Sequence, residues 1–432
     1  VLRGLHKFWN DGYNLRVYHF LYHIKILQEA AMVDFTLTPQ QAAIQKSVRE
    51  FAEKEVKAIA MERDQMTDHE NIFPVEAFQK SFGIGIHDAV IPTKYGGQGL
   101  DGLTCAIIWE ELAAADAGFC VSYQGHFLAL EHVCGPTVTE TQREIFLKAL
   151  TGEDGGMAAY ALTEPNVGPC WLLVQEDFIQ ETTLERDGDD YILNGVKNFC
   201  TNGGSPLTKW YVIWARADKD KVGLASCRTC LVWADSPGLN VPKSENKMGQ
   251  RLSKNAQLYL DNVRIPRENV VGETGDMEMG GGSGQRLVTA NSWILLGALC
   301  VGLSRSAYEE ALEYAKKRII AGKPAIQHQL IGAKLADMYW NIEAVRAYVW
   351  KVAHYFDTNP TPNLKMAWGA KVMGSDLAVK VTNEALQIHG GYGYTKDALV
   401  EKLYRDAKVT QIYECPNELL RVTTASMLEL GM

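Results

Sequence analysis

The feature that most limits how this chain can fold is a double change of hydrophobic period. From Thr38 to about Leu150 the spacing is helical: Gln41, Ile44, Val48, Phe51 and Val56 recur near every 3.6 positions with charges between them. Tyr95-Gly-Gly-Gln-Gly99 interrupts that pattern, and a longer helical run with Ile107, Glu110, Glu111, Ala114 and Ala115 leads into Asp116-Ala-Gly118. Near Ala158 the period changes. Trp210–Arg216, Thr229–Ala234 and Gln257–Ile265 are short β-rich runs bounded by Gly, Pro, Asn and Asp. After Gly280-Gly-Gly-Ser-Gly284 the chain is helical again to its end. This order, with no internal repeat, predicts a mixed α and β protein. An N-terminal helical domain over 35–155 is followed by a small β-barrel or sandwich domain over 156–275. A C-terminal four-helix bundle over 280–430 completes it, its long helices packed up and down.

Residues 1–31 differ from the rest, being rich in His, Tyr, Lys and Arg with aromatic residues at no clean period. They lack the apolar core of a secretory signal and the Ser-rich character of a transit peptide. Gln28-Glu-Ala-Ala-Met32 fits a ribosome-binding sequence before a start codon, so 1–31 reads as a translated leader outside the fold. Met32 onward reads as an ordinary beginning, with Thr38 capping a helix that starts at Pro39. A net charge of −9 with no basic tract argues against a nucleic-acid surface. The longest apolar runs, such as Ile294–Val301, are too short to span a bilayer. The nine cysteines are irregularly spaced, which predicts a reducing, cytoplasmic setting without a disulfide framework. Cys227-Arg-Thr-Cys230 is the close pair; with no second pair or histidines beside it, it reads as strand rather than as a metal site.

Two C-terminal blocks carry chemistry, Gln387-Ile-His-Gly-Gly-Tyr-Gly-Tyr394 and Tyr404-Arg-Asp-Ala-Lys-Val-Thr-Gln-Ile-Tyr-Glu-Cys415. In the β region Tyr160-Ala-Leu-Thr-Glu-Pro-Asn166 and Asn194–Gly203 precede Lys247-Met-Gly-Gln-Arg251 and Asn262-Val-Arg-Ile-Pro266. In this order the blocks resemble the acyl-CoA dehydrogenase family, FAD enzymes that desaturate acyl-CoA thioesters. The resemblance covers about 35–430. It implies that Glu414 is the base removing the α-proton, that flavin N5 takes the β-hydride, and that electrons pass to an electron-transfer flavoprotein. The base's own backbone N–H would help hold the thioester oxygen. For the flavin, the resemblance implies Phe199 as the aromatic backing, Thr163 and Thr201 as hydrogen-bond donors, and Tyr160 and Leu162 beside them. Gln329 and Glu418 are implied as further cofactor-binding positions, and Arg318, Gln387, Gly390 and Gly391 would meet the cofactor's adenosine diphosphate. That portion would be bound mainly by a neighbouring subunit, which implies a homotetramer or homodimer. Gly390 and Gly391 also end a helix that has Ser375 near its start.

The same resemblance places Gln124, His126, Tyr413 and Arg251 at the substrate. No arginine lies in Val121–Phe127 to hold a second carboxylate, so a short, medium or cyclic acyl group is expected over a dicarboxylic one. The chain departs from the family pattern at Pro169-Cys170, at Trp293 where an arginine is usual nearby, at Ala321, and at Cys415-Pro416 in place of Gly-Thr. Pro416 removes both a backbone N–H and a hydroxyl. Two other readings follow from these departures and from the chemistry: a non-catalytic protein of the same fold that binds CoA esters or a partner, and an enoyl-CoA reductase working in reverse.

Overall fold

In this computed structural model residues 36–152, 154–168, 179–272, 290–359 and 363–431 are described. The leader over 1–31, the departure at Pro169-Cys170 and the linker at 280–284 lie outside the described residues. The chain forms two units, Val1–Ala42 and Ala43–Met432. Helix α1 (Pro39–Phe51) begins in the first unit, where Thr38 caps it as its sequence position predicts. Thr38 Oγ1 accepts from the Gln41 N–H at 3.2 Å, and Gln41 Oε1 accepts from the Thr38 N–H at 3.1 Å, a reciprocal capping box.

In the second unit a π-helical turn (Ala52–Lys57) leads to α2 (Ala58–Gln65), then α3 (Val75–Phe82). Helices α4 (Gly102–Ala115) and α5 (Ala117–Cys134) are apolar on every side, and nearly all their residues are buried, as such a pattern requires. Each begins on an aspartate: Asp101 accepts from the Thr104 N–H at 2.7 Å and Asp116 from the Phe119 N–H at 2.7 Å. The short α6 (Glu140–Lys148) then leads to the sheet.

The sheet holds β1 (Met157–Ala161), β2 (Thr183–Asp187), β3 (Asp190–Thr201), β4 (Thr208–Arg216), β5 (Cys227–Trp233), β6 (Leu239–Asn240) and β7 (Asn255–Ile265). Its order is β1-β4-β2-β3-β7-β6, with β5 antiparallel on β4 and β1 parallel to it, so the sheet curls. Both faces are covered. Tyr211 and Ile213 of β4 point into the sheet's own core with Leu193, Leu258 and Val263. Trp210 and Val212 face Leu130 and Val133 of α5 and Phe146 of α6. Burial on both sides is why β4 reads as a continuous apolar run rather than an alternating one. Cys227 and Cys230, three apart in a strand, lie on opposite faces and cannot share a ligand. Among the described residues no group of His, Cys, Asp and Glu could hold a metal ion.

The C-terminal bundle is built from α7 (Ala290–Lys317), α8 (Gln329–Thr358), α9 (Leu364–His389) and α10 (Leu399–Lys408), with α11 (Asn417–Glu429) after them. A Cβ at Gly302 of α7 would lie 2.2 Å from the Glu110 carbonyl, so α7 and α4 cross with their backbones nearly touching. Buried ions join the layers: Lys402 of α10 meets Asp116 at 2.5 Å, and Arg305 of α7 meets Glu111 of α4 at 2.6 Å. Ser375 does not stand near the start of α9 but midway along it, where its hydroxyl donates to the Lys371 carbonyl at 2.8 Å. A serine satisfied by the preceding turn is compatible with a helix interior, which is why its cap-like character misplaces the boundary. No described helix is long and apolar enough to cross a membrane.

Candidate active site

A cavity of about 810 Å³ opens between α5, the sheet and the segment after α10. One helical face of α5 lines it with Val121, Gln124, Gly125 and Leu128, at the spacing of two helical turns. The sheet contributes Tyr160, Leu162, Thr163, Phe199 and Thr201. Phe199 is turned outward by an irregularity in the β3–β7 pairing between Lys197 and Cys200; its φ is 54° and it is 61% exposed. The bulge is tied to the opposite wall because the Asn198 N–H donates to the Thr163 carbonyl at 2.7 Å. A buried ion pair supports that wall. Lys197 Nζ lies 2.7 Å from Glu164 Oε1, and the carboxylate also accepts the Glu181 and Thr182 N–H groups at 2.6 and 3.1 Å. Burial pushes the Glu164 carboxyl up, but Lys197 and these donors outweigh it and hold it below the usual range. An aromatic wall with hydroxyls along one edge fits a planar, polar-edged ring system such as an isoalloxazine.

Glu414 lies on the opposite wall, in the short segment between the 3₁₀ turn Val409–Gln411 and α11. Its φ is 48° and that of Cys415 is 78°, two consecutive left-handed residues that aim the carboxylate inward. Oε2 accepts from the Ser292 hydroxyl at 2.8 Å and Oε1 from Gln124 Nε2 at 3.1 Å. Its backbone carbonyl accepts from Trp293 Nε1 at 2.8 Å, and the next carbonyl, of Cys415, from Lys371 Nζ at 2.8 Å. Gln124 is oriented in turn by Trp109, whose Nε1 donates to its Oε1 at 2.7 Å. Burial raises the Glu414 pKa above the ordinary carboxyl value, while Ser292, Gln124 and Lys371 pull it back only in part. A second acid stands behind it: Glu131 Oε1 accepts from Asn291 Nδ2 at 2.6 Å. Desolvation pushes the Glu131 pKa well above the carboxyl range.

The cavity thus brings together Glu414, Tyr413, Gln124, Tyr160, Leu162, Thr163, Phe199 and Thr201. It does not bring in His126, which is buried with both nitrogens engaged by backbone. Nδ1 accepts from the Ala158 N–H at 2.8 Å and Nε2 lies 2.7 Å from the His87 carbonyl, so the neutral ring carries its proton on Nε2. Burial lowers its pKa to about 3. Arg251 turns away from the cavity and donates to the carbonyls of Asp64 and Met66, the latter at 2.9 Å. Arg318, Gln329, Gln387, Gly390, Gly391 and Glu418 all lie exposed on the surface and away from the cavity lining. Ser292, Trp293, Lys371 and Trp109 were not selected from sequence as partners of the base. The one signal was Trp293 standing near where an arginine is usual, and its indole anchors the base loop. Ala321, another departure, has φ 47° and precedes Gly322 at φ 81° in the two-residue turn joining β8 (Ile319–Ile320) to β9 (Lys323–Pro324).

Three family models match this chain in order: the acyl-CoA dehydrogenase N-terminal domain over residues 38–154, the middle domain over 159–263 and the C-terminal domain over 289–428. The chain belongs to the acyl-CoA dehydrogenase family. It is therefore a member of a family of oxidoreductases acting on acyl-CoA. A short-chain-specific acyl-CoA dehydrogenase of Megasphaera elsdenii is 35% identical over 92% of this chain and 100% of its own length. An NADH-dependent acryloyl-CoA reductase of Anaerotignum propionicum is 34% identical over 94% of this chain and 98% of its own. Among solved structures, a chain in that of the electron transferring flavoprotein of Acidaminococcus fermentans matches with a TM-score of 0.83. It is 33% identical, and the match covers 92% of this chain and 99% of that one.

Proposed function

We propose that this acyl-CoA dehydrogenase family member desaturates a short acyl-CoA thioester between Cα and Cβ, with Glu414 taking the α-proton. The observation that carries the reading is the placement of Glu414. It is a half-buried carboxylate on the cavity wall, steered by Ser292 and Gln124 and poised to bind a proton more readily than a solvated glutamate does. The backbone N–H of Glu414 is the proposed donor to the thioester oxygen, where negative charge builds as the α-proton leaves. Gln124 and Tyr413 line the acyl end beside it. FAD bound against Tyr160, Leu162, Thr163, Phe199 and Thr201 would accept the hydride leaving Cβ. Reoxidation by an electron-transfer flavoprotein is supported by the likeness to a chain in such a protein's structure. The exposed set of Arg318, Gln329, Gln387, Gly390, Gly391 and Glu418 is proposed to meet the FAD of a second subunit in a homodimer or homotetramer. A short acyl group is supported by the relative that is short-chain specific.

A second reading is favoured by the raised Glu414 pKa together with the likeness to an acryloyl-CoA reductase. The same residue, holding its proton at higher pH than an ordinary glutamate, would deliver it to Cα as an enoyl thioester is reduced. Both readings use one base and one cavity. The test is Glu414→Gln in flavin-loaded protein under anaerobic conditions. Butyryl-CoA is expected to bleach the flavin band of the parent protein and to leave the variant's band intact. Bleaching that survives the change would remove Glu414 from the chemistry. Reoxidation of the reduced parent protein by acryloyl-CoA, with propionyl-CoA formed, would establish competence in the reverse direction.

A further inference from the structure

Lys371 of α9 is wholly buried, at 0% exposure, and its partners are neutral. Its Nζ donates to the Cys415 carbonyl at 2.8 Å and to Asn417 Oδ1 at 2.7 Å. Among the described residues no carboxylate oxygen lies within 4.0 Å of it, whereas the buried Lys197 and Lys402 each sit on a carboxylate, at 2.7 and 2.5 Å. An ammonium taken out of water without a paired anion costs several kcal/mol, so the fold tolerates Lys371 only if the charge or its geometry is used. Its two acceptors flank Pro416, the residue that cannot donate a hydrogen bond. Cys415 itself and Glu414 before it are both left-handed, a conformation that disfavours side chains bearing a Cβ. On the backbone of this strained segment Trp293 holds the Glu414 carbonyl and Lys371 the Cys415 carbonyl, while the Asn417 side chain is shared by Lys371, Ser375 and Asp376.

We infer that Lys371 is a positioning residue for the base: it bridges Cys415 and Asn417 across Pro416, keeps the left-handed pair in place, and supplies the positive field that lets Glu414 ionise in a dry site. The inference rests on Glu414 being the base. The groups facing Lys371 are Cys300 from α7, Glu414 and Cys415 from the loop, and Asp376 from α9 itself; burial outweighs them and brings its pKa down to about 8. Besides Lys371, Glu414 is met by Ser292 of α7 and Gln124 of α5, and its field reaches Glu131 of α5 and the neighbouring Tyr413. A positive neighbour favours the carboxylate, so removing it raises the pH at which Glu414 ionises. Below that midpoint the fraction of active base falls.

The test compares the parent protein with Lys371→Gln, which keeps a donor for the Cys415 carbonyl but not the charge. Two readouts are followed against pH: the rate of flavin reduction by butyryl-CoA, and the infrared carboxyl band of Glu414, assigned by its loss in Glu414→Gln. An opposite charge at close range shifts a carboxyl by about one unit or more. Both midpoints should therefore rise by about one unit, and the rate below them should fall about tenfold. A lower rate at every pH with unmoved midpoints would reduce Lys371 to a structural prop and overturn the inference. If the glutamine variant does not accumulate as folded protein, Lys371→Met decides, because it removes the same charge with an apolar side chain of similar length that a buried position tolerates. An upward midpoint there supports the inference, and an unchanged one overturns it. The infrared midpoint needs no turnover, so activity surviving in Glu414→Gln would remove the base assignment while leaving the Lys371–Glu414 linkage separately decided.

Discussion

Ser292→Ala removes a single hydroxyl and puts the polarity of the proposed base to a quantitative test. Ser292 is at 0% exposure, its Oγ donates to Glu414 Oε2 at 2.8 Å, and the same oxygen accepts from Gln124 Nε2 at 2.7 Å. A hydrogen bond to a charged partner contributes about 1.5–3 kcal/mol. Part of that survives when Glu414 is protonated, because the hydroxyl can then accept instead of donate. A differential of about 1.4 kcal/mol in favour of the carboxylate remains, which corresponds to about one pKa unit. The sign is fixed by which form the hydroxyl favours. Burial already raises the Glu414 pKa, Ser292 opposes that rise, and alanine lets it go further. In a pH series of flavin reduction by butyryl-CoA, the variant's midpoint should move up by about one unit. The rate one unit below the parent midpoint should drop about tenfold, with the high-pH plateau changed far less. A midpoint that stays or moves down would refute the assignment of Ser292 as a donor to an ionising base, even if the overall rate fell.

Other consequences are open to simpler assays. Lys197→Met strands the Glu164 carboxylate inside the turn that bears Thr163, and urea unfolding should show a loss of about 3–5 kcal/mol; a loss under about 1 kcal/mol would mean that solvent reaches the pair. Because Glu164 titrates below the usual carboxyl range in the folded chain, its contribution is present above its unfolded pKa and is lost as pH falls through its folded one. The variant should therefore lose that part of the acid sensitivity. Ala321→Asn places a residue that tolerates the left-handed region at φ 47°, in a turn where both central residues have positive φ. Thermal melting should show a gain of about 1 kcal/mol, and a lower melting temperature would contradict the turn assignment. Gly302→Ala forces a methyl against the Glu110 carbonyl and should destabilise the crossing of α4 and α7 by about 1–3 kcal/mol, as read by denaturant midpoint; an unchanged midpoint would show that the two helices can part at no cost.

The four departures from the family pattern divide once the chain is folded. Cys415 occupies a left-handed position that glycine would fill without strain, yet its side chain is buried and its carbonyl is secured by Lys371. Pro416 stands just before α11 with φ −60°, a value proline adopts naturally, so it shapes the end of the base loop rather than breaking it. Trp293 contributes an indole N–H to the base residue's own carbonyl. Ala321 lies in an exposed hairpin turn. Pro169-Cys170 lies outside the described residues. Cys415-Pro416 therefore lies in the loop that presents the half-buried Glu414 carboxylate to the cavity and Trp293 anchors that loop from α7, whereas Ala321 lies apart from it.

Much was written locally in the chain. The order of helical, β and helical periods gave the architecture, because each period records which face of an element meets the core. Thr38 announced the first helix, and its cap is a contact with Gln41 only three positions on. The Tyr160–Asn166 and Ile412–Cys415 blocks carried the cavity walls, since the residues around them take backbone shapes that few sequences support. What the chain could not declare by itself is which groups converge on Glu414. Ser292 stands 122 positions away and Gln124 stands 290 positions away, and their donors reach the carboxylate only because α5, α7 and α9 pack side by side. The same holds for His126 and Arg251, chosen for their chemistry but turned to backbone carbonyls by the packing around them. Hydrogen-bond partners are chosen by distance and angle in space, and a periodic pattern fixes the face of a helix without naming what will lie against it. The tertiary structure alone made a half-buried carboxylate with two side-chain donors out of a glutamate in a loop.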